Sequence, residues 1–60
     1  MKRTYTVSKS KSGAWYVHKV GYPWIPVLGS FRKSKRAAQR VAAEWMGLPL
    51  KEYLQLKERR

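Results

Sequence analysis

Two prolines, Pro23 and Pro26, stand near the middle of the chain in the stretch GYPWIPVLGSF, residues 21–31. Proline has no backbone N–H and its ring clashes with the preceding helical turn, so no regular helix runs through this stretch. Because Pro26 has no N–H, it also cannot donate the backbone hydrogen bond that a residue in a central β-strand would make. The prolines therefore separate a region rich in strand-forming residues from one with a helical pattern.

The region before the prolines has the alternation of a β-hairpin. Residues 3–9 (RTYTVSK) alternate between the two sides of a strand, and residues 14–20 (AWYVHKV) are rich in β-branched and aromatic types. Residues 10–13 (SKSG) between them have turn chemistry. One face of the hairpin is expected to carry Tyr5, Val7, Trp15 and Val17, and the other Tyr16, His18 and Val20.

The region after the prolines begins with a short β-prone stretch, Val27–Phe31, which predicts a third strand. Ser34 is a plausible N-cap, and Gly47 a plausible end, for a helix between them. The apolar stripe of that helix is Ala38, Val41, Ala42 and Trp45, at helical spacing. A second helical pattern restarts at Pro49.

These patterns predict an α+β fold in one small domain, residues 1–60: a three-stranded antiparallel sheet packed on one main helix, with a short extra C-terminal helix (β-β-β-α-α). The sheet is expected at about 3–31, the main helix at about 35–46 and the C-terminal helix at about 49–59.

The core of such a chain must come from its aromatic residues, because 60 residues bury little surface and there is no cysteine for a disulfide. Trp15 and Trp45 are expected in the core. Trp24, between the prolines, has two alternatives: it folds back as a lid on the core, or it projects as an apolar surface.

Charge is the strongest compositional signal. Fourteen Lys and Arg residues against three acidic residues give a net charge of +11. A small domain stays soluble with much less charge, so a polyanionic partner is favoured over solubility alone, with nucleic acid first.

Catalysis, metal binding and cofactor binding are not expected. The chain has one His, no Cys and no Asp, and its three Glu lie in predicted helices, so no acid–base pair, thiol nucleophile or metal ligand set can be assembled. Neither a small-molecule substrate nor a membrane partner is expected. The N-terminus has no apolar signal core and no apolar run reaches about 20 residues, so a cytoplasmic location is expected, nucleoid-associated if the protein binds DNA.

Two groups of cations stand beside predicted turns. Lys33, Lys35 and Arg36 surround Ser34, at the positive end of the predicted helix dipole. The helix dipole repels these cations. A bound phosphate would relieve that repulsion and accept hydrogen bonds from free backbone amides. The alternative interpretation is a cluster of cations that is solvated and binds nothing. The second group lies about the hairpin and the end of the third strand: Lys9, Lys11, Lys19 and Arg32.

Aromatic residues are interleaved among these cations on the expected polar face of the sheet. A basic, aromatic-dotted sheet can lie in a DNA groove and contact phosphates and base edges. The alternative is that Tyr16 and His18 belong to the core, with Tyr16 beneath the C-terminal helix. The candidate nucleic-acid contacts are Lys9, Lys11, Tyr16, His18, Lys19, Arg32, Lys33, Lys35 and Arg36.

The stretches GAWYVHKV and PVLGSFRKSKRAAQRVAAEWMG resemble the DNA-binding domain of plant ethylene-response factors and the related amino-terminal arm-site-binding domains of phage and transposon tyrosine recombinases. The resemblance covers roughly Tyr5 to Gly47. It implies a three-stranded sheet whose outer face enters the major groove, in a regulatory or recombination accessory factor of a phage or mobile element. The matching positions are Gly13, Trp15, Leu28, Gly29, Ser30, Phe31, Ser34, Ala37, Ala38 and Ala42. The implied outward positions are Ser8, Lys9, Lys11, Tyr16, His18, Ile25 and Val27.

Two hypotheses of function follow. The first is a small basic protein that contacts double-stranded DNA through the exposed sheet face and the start of the first helix. The second is a protein-interaction module that docks on an acidic partner protein, with Tyr22, Trp24 and Ile25 as the apolar anchor and lysines as the rim. Binding of single-stranded nucleic acid or RNA is a third possibility.

Overall fold

The computed structural model describes residues 3–56 and contains two strands followed by two helices. The elements are β1 (Tyr5–Lys9), β2 (Trp15–Lys19), α1 (Lys35–Trp45) and α2 (Leu50–Gln55). The α+β class is thus as predicted, and both hairpin strands and both helices lie within the predicted ranges. Helix α1 ends one residue early, and α2 ends at Gln55, where Leu56 is already extended. The predicted end of the C-terminal helix, beyond residue 56, lies outside the described residues.

The hairpin has the predicted faces. Val7 lies opposite Val17 and Tyr5 lies opposite Lys19, so Tyr5, Val7 and Val17 share the face that α1 covers. The loop is tight because the N–H of Gly13 donates to Ser10 O (3.0 Å), and Gly13 has a φ of +90°. A glycine at positive φ is the usual last loop residue of a three-residue hairpin connection.

The predicted third strand is wrong, because the sheet has only two strands. The chain after Pro26 does run beside β2, but it meets it only at isolated bridges, Trp15 with Arg32 and His18 with Pro26. Between the bridges the chain turns outward, since the N–H of Ser30 donates to Val27 O (3.2 Å) and Gly29 has a φ of +76°.

The side chain of Ser30 takes the place of the missing strand bonds. Its hydroxyl accepts from the Val17 N–H (3.0 Å) and donates to Val27 O (2.6 Å). Ser30 is 1% exposed, so water does not compete for these groups. The hydroxyl therefore satisfies the Val17 N–H, for which a third strand would have supplied a backbone carbonyl, while Val17 O accepts from the Val27 N–H (2.7 Å).

Both ends of α1 have the expected caps. The Ser34 side chain accepts from the Ala37 N–H (3.2 Å) at the start. At the end, the N–H of Gly47 donates to Glu44 O (3.0 Å) and the N–H of Leu48 donates to Ala43 O (3.0 Å), the two bonds of a Schellman motif. Gly47 has the required positive φ of +69°. This turn reverses the chain and lets α2 pack on α1.

The core differs from prediction in its tryptophans. It is formed by Val17, Ala42, Ala43 and Tyr53. Trp45 is 55% exposed and lies against Tyr5 at the edge of the helix, with ring centroids 5.9 Å apart. On α1 the buried residues include Ala43, which lies in the core with Tyr53 of α2. The covered side of α1 is therefore centred away from Trp45. Trp15 is only partly buried and lies outside the core.

Residue Val27 also departs from expectation, because it packs against the core instead of facing outward. The described part of α2 lies on α1, on the helix side of the sheet, and is held to β1 by the Tyr53 hydroxyl, which donates to Tyr5 O (2.7 Å). The Arg3 guanidinium stacks on the Tyr53 ring, 4.4 Å from its centre. Neither α1 nor α2 has the length and apolarity that a membrane crossing requires.

We expect Ser30→Ala to lower the free energy of unfolding by about 1–3 kcal/mol, because the buried Val17 N–H loses its partner while Val27 O keeps only the Ser30 N–H. Urea unfolding followed by circular dichroism measures this. Ser12→Ala is the matched control, since Ser12 is exposed and its hydroxyl forms an exposed bond with the Ser10 hydroxyl. Equal stability of the two variants would contradict the role assigned to Ser30.

We expect Gly47→Ala to cost about 1–2 kcal/mol, because a Cβ is disfavoured at positive φ. No heavy atom lies within 4 Å of the added Cβ, so the cost is conformational and not steric crowding. Gly47→Asn should cost less in the same thermal melts, because Asn tolerates this conformation better. An alanine variant as stable as the parent would show that the turn is not held at positive φ.

Candidate nucleic-acid interface

At one end of the sheet three side chains stand in a row on the face that α1 covers. Lys9 lies opposite Trp15. Trp15 is bridged on its other side to Arg32 by two backbone bonds, Trp15 N–H to Arg32 O (2.8 Å) and Arg32 N–H to Trp15 O (2.7 Å). Directly opposite residues point to the same face of a sheet, so Trp15 lies between two cationic neighbours.

The start of α1 brings more positive charge to this row. The Lys35 ammonium lies 5.6 Å from the centre of the Trp15 ring, within the range of a cation–π contact. A shallow groove runs between the hairpin loop, residues 12–14, and residues 31–33. We call the whole cluster the basic end; its cations are all exposed, and they are Lys9, Lys11, Arg32, Lys33, Lys35 and Arg36.

One of the two described acidic residues, Glu44, lies at the opposite end of α1. Glu44 is nine residues beyond Lys35, about 13 Å along the helix axis at 1.5 Å per residue. Glu52 is exposed and lies in α2, which packs on α1. The first turn of α1 holds no acidic residue. The positive end of the helix dipole therefore adds to the charge of the cations, and no carboxylate in that turn offsets it. The start of α1 therefore carries positive charge with no carboxylate in the same turn.

Arg32 holds the turn before it as well as contributing charge. Its Nη1 donates to Gly29 O (3.0 Å) and to Phe31 O (2.8 Å). These bonds fix the guanidinium over the turn while the residue stays exposed. Arg32 thus links the basic end to the outward turn at residues 27–30.

The opposite face of the hairpin is not basic, contrary to expectation. The paired residues on it include no Lys or Arg and are Thr6, Ser8, Tyr16 and His18. His18 is 4% exposed and both ring nitrogens are engaged. Its Nδ1–H donates to Lys19 O (2.7 Å), and Nε2 lies 2.6 Å from the Ser8 hydroxyl. His18 therefore presents no free nitrogen to a DNA groove and acts as a buried polar support of the hairpin.

Tyr16 has an intermediate position on this face. Its ring packs against Phe31, 5.3 Å away, and its hydroxyl donates to Pro23 O (2.5 Å). It is partly exposed and is not covered by α2, so the alternative of packing beneath the C-terminal helix is wrong.

Phe31, which is 47% exposed, is a candidate interface residue that was not among the contacts predicted from the sequence. The register explains its position. Because Arg32 lies opposite Trp15 on the α1 side, the preceding residue turns to the Tyr16 side, next to the basic end. From the sequence, the position of Phe31 could be inferred only from the alternation of side chains around Arg32. That alternation cannot be assigned to a face until the bridge between Arg32 and Trp15 is known.

Lys19 stands apart from the other predicted cations. It is opposite Tyr5, at the far end of β2, four residues or about 13 Å from Trp15. It lines a separate apolar groove with Tyr5, Tyr22, Ile25, Pro26 and Val27.

The Tyr22–Ile25 loop projects, so the lid alternative for Trp24 is wrong. Tyr22, Trp24 and Ile25 are 51%, 70% and 58% exposed. The Tyr22 and Trp24 rings meet edge to face, with centroids 5.6 Å apart. The loop is tied to the hairpin through the Tyr16 hydroxyl and holds its own turn, in which the Ile25 N–H donates to Tyr22 O (3.1 Å).

Comparison with models of protein families, with curated proteins and with solved structures finds no match to this chain. Among residues 3–56 no three His, Cys, Asp or Glu side chains come together in a way that could hold a metal ion.

We expect Tyr16→Phe to loosen the Tyr22–Ile25 loop, because it removes the hydroxyl that holds Pro23 O. Hydrogen exchange of the Ile25 amide should accelerate, while exchange of the Thr6 amide in the hairpin should stay nearly unchanged. Tyr22→Phe is the matched control, since no bond of the Tyr22 hydroxyl is found within residues 3–56. Equal exchange in both variants would contradict the anchoring role of Tyr16.

Proposed function

We propose that this chain is a small DNA-binding protein that contacts double-stranded DNA through its basic end. The observation that carries the proposal is the convergence of six exposed cations from the hairpin, the Trp15 bridge and the start of α1. Cations clustered on one side of a small domain match the electrostatic footprint of a nucleic-acid-binding surface.

The start of α1 suits a phosphate in particular. Lys33, Lys35 and Arg36 lie where the helix dipole is already positive, which at low ionic strength costs the free protein about 0.3–1 kcal/mol for each cation. Ser34 accepts the Ala37 N–H, which leaves earlier amides of the first turn directed outward. A phosphate there removes the repulsion and accepts those amides.

The remaining contacts come from both sides of this helix start. Lys9, Lys11 and Arg32 would meet phosphates along the neighbouring backbone. Tyr16 and Phe31 would lie against the groove beside them, because they occupy the same end of the sheet on its other face. Phosphate contacts position a protein on DNA without reading its sequence, so binding with little sequence preference is expected from the cations alone.

We expect duplex binding to weaken steeply with salt. Six phosphate contacts predict a slope of log K against log salt of about −5, measured by fluorescence anisotropy with a labelled duplex at several salt concentrations. Lys35→Ala should bring the slope closer to zero by about 0.9. Competition with unlabelled duplex, single-stranded DNA and RNA identifies the preferred nucleic acid.

Lys51→Ala is the matched control for this titration. It removes the same charge from an exposed site in α2 that is not part of the basic end. An equal change of slope in Lys51→Ala and Lys35→Ala would mean that net charge, and not the basic end, determines binding. A flat salt response of the parent protein would overturn the proposal.

A second candidate function is docking on an acidic protein through Tyr22, Trp24 and Ile25. Their exposure favours it, together with the apolar groove beside them, which has Lys19 at its rim. An acidic segment with one apolar side chain would complement this surface.

Amide chemical shifts separate the two candidates. Titration with random-sequence duplex should shift residues 9–11 and 32–36 if the first is right. Titration with a glutamate-rich peptide that carries one leucine should shift residues 19–27 if the second is right, and Trp24→Ala should abolish those shifts without changing the DNA titration. Shifts at neither segment would contradict both.

A further inference from the structure

The turn at residues 27–30 presents Leu28 at its tip. Leu28 is 98% exposed, far more than the other exposed apolar side chains among the described residues, of which Trp24 is next at 70%. A single exposed leucine is ordinary on a protein surface. What distinguishes this one is the support beneath it and the charge beside it.

The support is a set of hydrogen bonds that fix the turn on both sides of Leu28. Val27 O accepts from the N–H and from the hydroxyl of Ser30, and the same hydroxyl is bonded to the Val17 N–H in β2. The Arg32 guanidinium holds Gly29 O from the other side. The backbone at the tip is thus attached to the sheet on one side and to Arg32 on the other, so Leu28 projects from a fixed base.

The turn that carries Leu28 lies next to the basic end. Arg32 belongs to both the basic end and the turn, and Phe31, half-exposed, lies between them. Gly29 follows Leu28 and has no side chain, and nothing lies within 4 Å of where its Cβ would stand. A narrow apolar tip with Arg32 beside it can enter a DNA groove without bringing a carboxylate of its own turn near the phosphates.

Proteins that bend DNA use this combination. An apolar side chain enters between two base pairs from the minor groove and partly unstacks them, and neighbouring side chains such as Arg or Lys contact the same groove. Leucine is among the residue types used for this purpose. Flexible pyrimidine–purine steps unstack most readily and would be the preferred place of entry.

We propose that Leu28 is a wedge that inserts between base pairs of a duplex bound at the basic end and kinks it. The inference rests on the proposed function, since the cations must first bring the turn to the DNA. It adds that binding deforms the duplex, and that sequence preference follows from the ease of unstacking a step.

The test uses a set of duplexes in which 2-aminopurine replaces adenine at a central TA step or within an A-tract. The parent protein should raise the fluorescence at the TA step at least about twofold on saturation and bring dyes at the duplex ends closer. Leu28→Ala should lose most of both signals while its salt slope stays that of the parent. Leu28→Met should retain them, because methionine also serves as a wedge.

Ile25→Ala is the matched control, since it removes an exposed apolar side chain from the other turn and should leave both signals unchanged. Parent protein that binds with the expected salt slope but raises no fluorescence overturns the wedge and leaves the proposed function standing. Leu28→Ala with undiminished fluorescence also overturns it. Absence of salt-dependent binding instead overturns the proposed function.

Discussion

The hydroxyl of Ser30 is the contact on which the arrangement of the molecule depends. It closes the edge of β2 by bonding Val17 N–H and Val27 O, and so it permits the chain to turn outward instead of continuing as a strand. After the turn the chain returns to pair Arg32 with Trp15. That pairing brings the start of α1 to the same end of the sheet as Lys9, and the basic end exists because of it.

The sequence was sufficient for the elements that local chemistry specifies. Alternation around Val7 and Val17 predicted the hairpin and its faces, and Ser34 and Gly47 predicted the limits of α1. The prediction of a third strand was wrong because the side chain of Ser30 replaced a backbone partner of β2. The periodicity of the sequence does not reveal such a replacement. The prediction that Trp45 is buried was wrong for a different reason. The side of α1 that is covered depends on where α2 packs, which the sequence of α1 does not specify.

The candidate site was predictable in composition but not in arrangement. The cations were evident from charge alone, yet their clustering follows from one bridge between Trp15 and Arg32 that joins distant parts of the chain. That bridge also separates Lys19 from the cluster and places Phe31 beside Tyr16. The environment of His18 depended likewise on a partner, Ser8, in the facing strand.

The contact between Arg3 and α2 bears on how the chain folds. Arg3 Nη2 donates to Tyr53 O (3.2 Å), across a sequence separation of 50 residues. Closing so long a loop costs entropy that only the fully assembled structure repays. The first strand and the last helix should therefore gain their stability in one step, and release of either should free the Tyr53 ring and empty the centre of the core.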